Sequence, residues 1–267
     1  MSYVRVKDIV MNFEIKGQGE PLLLISGLAA DMSMWSLQVP SYALNMMTIC
    51  FDNRGTGKTD GPDVPYTMEM MADDALGLMD VIGLDSSHVI GMGMGGRVAM
   101  QMALSRPSRV RSLVLCSSSS VATPFERQLL TSMHRSIRGG VGRDTLARFE
   151  IPWLMSDRYF ADPKVAEGVA RVRIARLMGT PLHAQARQIE AYLESDLSSR
   201  LQDIKAPTLV VGGHRDLLVP IAYQERLATA IPRASLLPLD AAHLVMTEAP
   251  KQFNEETLRF LFTTAVE

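Results

Sequence analysis

Six short, nearly continuous apolar runs punctuate this sequence: PLLLISG at 21–27, MMTICFD at 46–52, HVIGM at 88–92, SLVLCS at 112–117, TLVVGG at 208–213 and SLLPL at 235–239. Each is too short for a buried helix and lacks the polar alternation of a strand with one wet face. Each therefore reads as a strand covered on both sides. Residues 3–15 alternate polar and apolar and predict two further strands, with a turn near Lys7–Asp8. Helical patterns lie between the runs. Thr67 is placed to cap a helix in which Met71, Ala72, Ala75, Leu76 and Met79 share a face, and Gly83 stops it. A second pattern runs from Gly95 to Ser105, ahead of Pro107. A third begins at Pro250 and aligns Phe253, Thr257, Phe260 and Leu261. Strands alternating with helices imply βαβ crossovers. The expected class is α/β, with a mostly parallel eight-stranded sheet flanked by helices.

One stretch breaks the alternation. From 118 to 203 no buried strand is expected, the pattern is helical, and the segment carries Phe149, Trp153, Tyr159, Phe160 and Met178. It predicts a helical cap inserted after the sixth strand, dividing a core domain into 1–117 and 204–267. Ligands of open α/β sheets bind beyond the carboxyl ends of the strands, where such a cap would close a pocket. Met133, Phe149 and Trp153 are the candidate substrate-binding residues. The alternative is a second helical layer with no pocket role.

Composition narrows the partners. A net charge of −2 offers no footprint for nucleic acid or an anionic membrane. No apolar stretch reaches the roughly 18 residues of a membrane helix. The opening MSYVRVKDIVMNFEIKG lacks the basic-then-apolar layout of a signal peptide, so a cytoplasmic protein is expected. Cys50 and Cys116 each close an apolar run and read as buried free thiols, which fits a reducing compartment. The 18 methionines are scattered through core-like positions, as adaptable packing requires. No His/Asp/Glu set has metal-ligand spacing, so neither metal nor cofactor is expected. A small molecule is the expected partner, and a homo-oligomer is left open.

The chemistry centres on HVIGMGMGGRVAM at 88–100. A nucleophile at the top of a strand must project from a sharp turn, with small neighbours two residues to either side. Gly91 and Gly95 are those neighbours, and the strand-to-helix context is the one the motif demands. The nucleophile slot itself holds Gly93. The same residues spell G-x-G-x-x-G, the dinucleotide-binding pattern. That loop should follow the first strand of its unit, with an acid closing the next strand, and here the next strand ends Cys-Ser-Ser. The partners of a triad should follow as acid, then histidine, each after a later strand. Asp216 in TLVVGGHRDLLVP and His243 in SLLPLDAAHLVMTEAP stand in that order. His243 would be the general base, and Asp216 would fix its tautomer. His88, His134 and His183 have no such placement; His214, two residues before Asp216, could border the site, with surface placement the default. Two backbone N–H groups should serve a developing oxyanion, one from Met94 and one from Leu28 in the turn ISGLAADMSMW.

With these residues the chain resembles the α/β-hydrolase superfamily over nearly its whole length. The likeness rests on Ser26–Gly27 with Trp35 beyond, FDNRGTGKTD at 51–60, the elbow at 91–96, Asp216 and His243. DNRGTGKT is similar to the D-x-R-G-x-G-x-S turn of the esterase, enol-lactonase and C–C-bond hydrolase branches. The nearest likeness is to 3-oxoadipate enol-lactonase-like hydrolases. These have a short helical cap and often lack the histidine of a His-Gly pair, a place taken here by Ser26. The resemblance implies an ester or lactone hydrolase with a Ser-His-Asp triad.

Gly93 departs from that pattern, because glycine has no Oγ and the acyl-enzyme route is closed. Three readings stand. The first is a hydrolase inactivated by a Ser-to-Gly substitution. The second is a natural lyase or cofactor-free oxygenase with His243 as base. The third is a small-molecule receptor. Between 117 and 203 there are eleven arginines against ten acids; surface pairing accounts for most, though one arginine could meet a substrate carboxylate.

Overall fold

Five of the six apolar runs become inner strands of one eight-stranded sheet; the sixth, SLLPL, becomes a partly exposed edge strand with a neighbour on one side only, so it is not covered as its apolar run suggested. The structure is a computed structural model that describes residues 2–264. Its strands are β1 (Ser2–Val6), β2 (Ile9–Lys16), β3 (Glu20–Ile25), β4 (Met46–Phe51), β5 (Ser87–Met92), β6 (Val110–Cys116), β7 (Thr208–Gly213) and β8 (Ala234–Leu239). They lie in the order β1-β2-β4-β3-β5-β6-β7-β8. β1, β2 and β4 pair antiparallel, and every pairing from β4 to β8 is parallel.

The helices are α1 (Val39–Tyr42), α2 (Met68–Val81), α3 (Met94–Ser105), α4 (Pro124–Arg138), α5 (Arg143–Leu154), α6 (Pro163–Met178), α7 (Leu182–Glu194), α8 (Ile221–Ala230), α9 (Val245–Glu248) and α10 (Pro250–Thr264). Thr67 caps α2 by accepting from Met70 N at 3.0 Å, and Gly83 follows the helix at φ 75°. None of the helices described is long and apolar enough to cross a membrane.

Two-sided burial explains the continuous apolar runs. Successive side chains of a strand point to opposite faces. Leu23, Ile25, Val89, Leu113, Leu115 and Val210 join one core, with α2 and α3 packed over them. Leu22, Leu24, Ile90, Met92, Val114 and Val211 join the other, with Val39, Tyr42, Phe253 and Leu261 from α1 and α10. Cys50 and Cys116 are buried free thiols in this second core, and burial pushes Cys50 up to about 12.

Four helices, α4 to α7, separate β6 from β7. The chain enters and leaves this insertion at one neck, a single bridge between Val121 and Asp196 with Leu197 N donating to Ser120 O at 3.0 Å. Arg97 of α3, fully buried, fastens the neck to the sheet layer. It donates to Ser119 O (3.1 Å) and Tyr192 O (2.7 Å) and stacks on the Tyr192 ring.

Close packing of β5 on α3 rests on absent side chains. A Cβ on Gly91 would run into the Gly95 carbonyl, and one on Gly95 into the carbonyls of Ile25 and Ser26. A Cβ on Gly83 would meet nothing within 4 Å, so only its left-handed backbone disfavours a side chain there. Urea unfolding should therefore rank two variants. Gly83→Ala should lose about 1–2 kcal/mol, the penalty of the backbone conformation alone. Gly91→Ala should lose about 3 kcal/mol or more, since rigid backbone must move.

Candidate active site

Gly93 joins β5 to α3 with φ 54° and ψ −114°, a conformation in which any Cβ is strained. The turn is tied down by Gly93 N donating to Cys116 O (2.9 Å) and Ser118 Oγ donating to Gly93 O (3.2 Å). An ideal Cβ built on Gly93 points toward His243, whose Nε2, at 3.6 Å, is the one atom within 4 Å among the described residues other than Gly93 and its chain neighbours. Residue 93 therefore directs a side chain at the imidazole.

The loops after β7 and β8 bring acid and histidine together. His214 N donates to Leu239 O and Arg215 N to Ala241 O, both at 2.9 Å, so the two strand ends run side by side. Gly213 permits this approach, since a Cβ there would strike the carbonyls of Ala241 and Ala242. Asp216 Oδ1 accepts from Leu218 N and Val219 N, both at 2.9 Å. Its Oδ2 lies 2.9 Å from His243 Nδ1. A buried carboxylate there holds the proton on Nδ1 and leaves Nε2 as the acceptor facing Gly93. Burial alone would push the imidazole down. The Asp216 charge and hydrogen bond, with the Glu126 charge, outweigh it and hold His243 above its ordinary 6.5.

The turn after β3 is braced from two sides. From the sheet, Asp52 Oδ1 accepts from Met32 N (2.8 Å) and Asn53 Nδ2 donates to Ser26 O (2.9 Å). Arg54 anchors that loop through a buried pair with Asp74, Nε to Oδ2 at 2.6 Å. From the insertion, Gln188 Oε1 accepts from Ala29 N (2.9 Å) while Gln188 Nε2 donates to Arg54 O (2.9 Å). Arg173 Nη1 donates to Ala29 O (3.1 Å) and its Nε pairs with Glu150 at 2.7 Å. Ala29 is thus held at φ 50° by both of its peptide groups. Leu28 N–H and Met94 N–H make no hydrogen bond among the described residues, and both residues line the cavity below.

That cavity, of about 130 Å³, runs between Gly93, His243 and the insertion. Met133 and Trp153 line it, as do Met34, Leu129, Leu130 and Leu218. Phe149 does not. It is 48% exposed and meets Trp153 edge-on, ring centroids 6.4 Å apart. A helix turns about 100° per residue, and α5 spends its inward face on Leu146, Ala147, Glu150 and Ile151.

The polar groups of the wall escaped the sequence reading. Glu126 accepts from Tyr192 Oη (2.5 Å) and Thr123 N (2.8 Å), within the capping box that starts α4. The pattern Thr-x-x-Glu at 123–126 announces that cap, but not that it borders a site. Glu150 and Arg173 line the cavity as an ion pair. Most arginines of the insertion with a described ion pair make it at the surface, as Arg148 does with Asp144 and Glu167; Arg173, half-buried at 13% side-chain exposure, is the exception. The remaining histidines lie apart: His88 meets Ser112, His134 meets Glu190, His183 meets Gly61 O, and His214 is exposed.

Residues 20–250 match the family model described as alpha/beta hydrolase fold. A relative from Azorhizobium caulinodans, named "Putative carbamate hydrolase RutD", is 31% identical over 262 residues, covering 97% of this chain and 98% of its own. The enol-lactonase from Burkholderia xenovorans LB400 superposes with a TM-score of 0.91 at 27% identity, covering 98% of this chain and 100% of that one. A thermophilic esterase from Thermogutta terrifontis, malate bound, superposes at 0.88 with 28% identity and 99% coverage of each.

The His243–Asp216 pair has a definite pH signature. NMR titration should place His243 above 6.5, and Asp216→Asn should lower it. A histidine raised in the folded state contributes stability that is full below the unfolded value of about 6.5 and fades as pH rises through the folded value. Unfolding measured at pH 5.5 and pH 9 should therefore show Asp216→Asn more damaging at the lower pH.

Proposed function

We propose that this chain, which belongs to the α/β hydrolase fold family, carries a hydrolytic site for carboxylic esters or lactones in which residue 93 is the nucleophile position. The observation that supports this reading is the Cβ direction at Gly93, 3.6 Å from His243 Nε2. One rotamer of a serine there brings Oγ within about 3 Å of that nitrogen. His243 would take the serine proton as Oγ adds to the carbonyl carbon, and Asp216 would stabilise the imidazolium. The N–H groups of Leu28 and Met94 would receive the oxyanion. His243 would then protonate the leaving oxygen and later activate the water that releases the acid.

Residues 118–203 serve in this reading as a cap on a core formed by 1–117 and 204–267. Its Met133 and Trp153, with Leu129 and Leu130, favour an apolar acyl or ring moiety. The ester- and lactone-cleaving neighbours support the substrate class, and the carbamate hydrolase named among the relatives adds carbamates to the panel worth testing. Gly93 removes the covalent route, so the chain is inactive or nearly so through an acyl-enzyme.

Gly93→Ser should hydrolyse aryl esters or simple lactones about 10³-fold faster than the Gly93 chain. A fluorophosphonate probe should label residue 93 and lose that label on His243→Ala. The same variant should be less stable by about 1–3 kcal/mol, because serine must adopt the strained turn. A folded Gly93→Ser protein with no gain on esters, lactones or carbamates refutes the assignment.

A further inference from the structure

We propose that the chain as it stands, with Gly93, hydrolyses activated esters by direct attack of water held between the Gly93 Cα and His243 Nε2. This rests on the reading that the cavity is a hydrolytic site, but not on a covalent intermediate.

The geometry starts from the turn. The direction a side chain would take from residue 93 leads to His243, with Nε2 the one atom within 4 Å of the Cβ position among the described residues other than Gly93 and its chain neighbours. With a Cα–Cβ bond of about 1.5 Å, the Gly93 Cα lies at most about 5 Å from Nε2. A water oxygen about 2.8 Å from Nε2 and about 3.3 Å from that Cα satisfies both contacts. A methyl group at residue 93 would fill this place. Glycine is therefore the residue that admits water beside the base.

The base is ready for it. Asp216 engages Nδ1, and Nε2 makes no hydrogen bond among the described residues. Gly93 and His243 line the same cavity as Leu28 and Met94, whose N–H groups are also uncommitted. A carbonyl oxygen directed at those two donors would leave its carbon on the side of the water.

The step balances without any other reactant. Nε2 takes one proton from water while the water oxygen bonds to the carbonyl carbon. The C=O electron pair moves to oxygen, facing the Leu28 and Met94 N–H groups. The tetrahedral adduct then expels the alkoxide or phenoxide, and the proton on Nε2 passes to an alkoxide or, for a stable phenoxide, to solvent. Acid and alcohol leave, and no bond to the protein forms.

The test compares p-nitrophenyl acetate and δ-valerolactone hydrolysis by the Gly93 chain, Gly93→Ala, Gly93→Ser and His243→Ala, each confirmed folded by its thermal transition. The Gly93 chain should turn over at least one substrate tenfold or more above His243→Ala, with no burst and no acyl adduct in intact mass spectra. Gly93→Ala should fall to the His243→Ala level. Turnover of the Gly93 chain no greater than that of His243→Ala overturns the proposal. So does an acyl adduct on His243, or a Gly93→Ala protein as active as the Gly93 chain. Should Gly93→Ala not fold, His243→Gln with the intact-mass measurement carries the decision, since a water route requires both loss of turnover and absence of adduct. An active Gly93→Ser beside an inactive Gly93 chain would sink the water route and leave the nucleophile assignment standing. The converse result would keep the water route and sink that assignment.

Discussion

Two-sided burial of a parallel sheet is the constraint from which the rest of this molecule follows. Parallel neighbours cannot be joined by a hairpin, so each connection must cross over a face and return. The crossovers cover both faces and force the strands between them to be apolar throughout. They also deliver the carboxyl ends of β3, β5, β6, β7 and β8 to one edge. Ser26–Ala29, Gly93, the neck of the insertion, Asp216 and His243 all stand on that edge. Topology alone brings these residues to one end of the sheet.

Within that frame, polar groups are held by backbone more than by one another. Asp216 spends one oxygen on two backbone N–H groups and the other on His243. Asp52 likewise spends its oxygens on Met32 N, Lys58 N and the Asn12 amide. A buried carboxylate engaged by several donors has a fixed direction. The elbow obeys a different rule. Its shape depends on Gly91 and Gly95 having no Cβ, and at Gly93 the left-handed strain that a larger residue would store is absent.

What the sequence reveals follows the range of the interactions involved. The inner strands, the Thr67 cap, the elbow glycines and the insertion are legible because neighbours within a few residues determine them. Strand boundaries shift by one or two residues: β6 begins at Val110 rather than 112, and β3 ends at Ile25 so that Ser26 and Gly27 can turn away. Asp216 and His243 are legible because strand ends constrain where their loops can go. The insertion's contributions are not. Arg173 meets Ala29 across 144 residues and Gln188 meets it across 159. Helical periodicity shows that α5 to α7 have inner faces, but not what those faces touch. Phe149 illustrates the point, since an aromatic residue beside an inner face is not thereby part of it.

Ala29 couples two parts of the molecule that the chain keeps far apart. Its N–H is held from α7 and its carbonyl from α6, and its left-handed backbone depends on both. Any hinge motion that lifts those helices off the sheet edge severs both hydrogen bonds and frees the peptide that orients Leu28. The turn after β3 and the helices α6 and α7 thus form one mechanical unit.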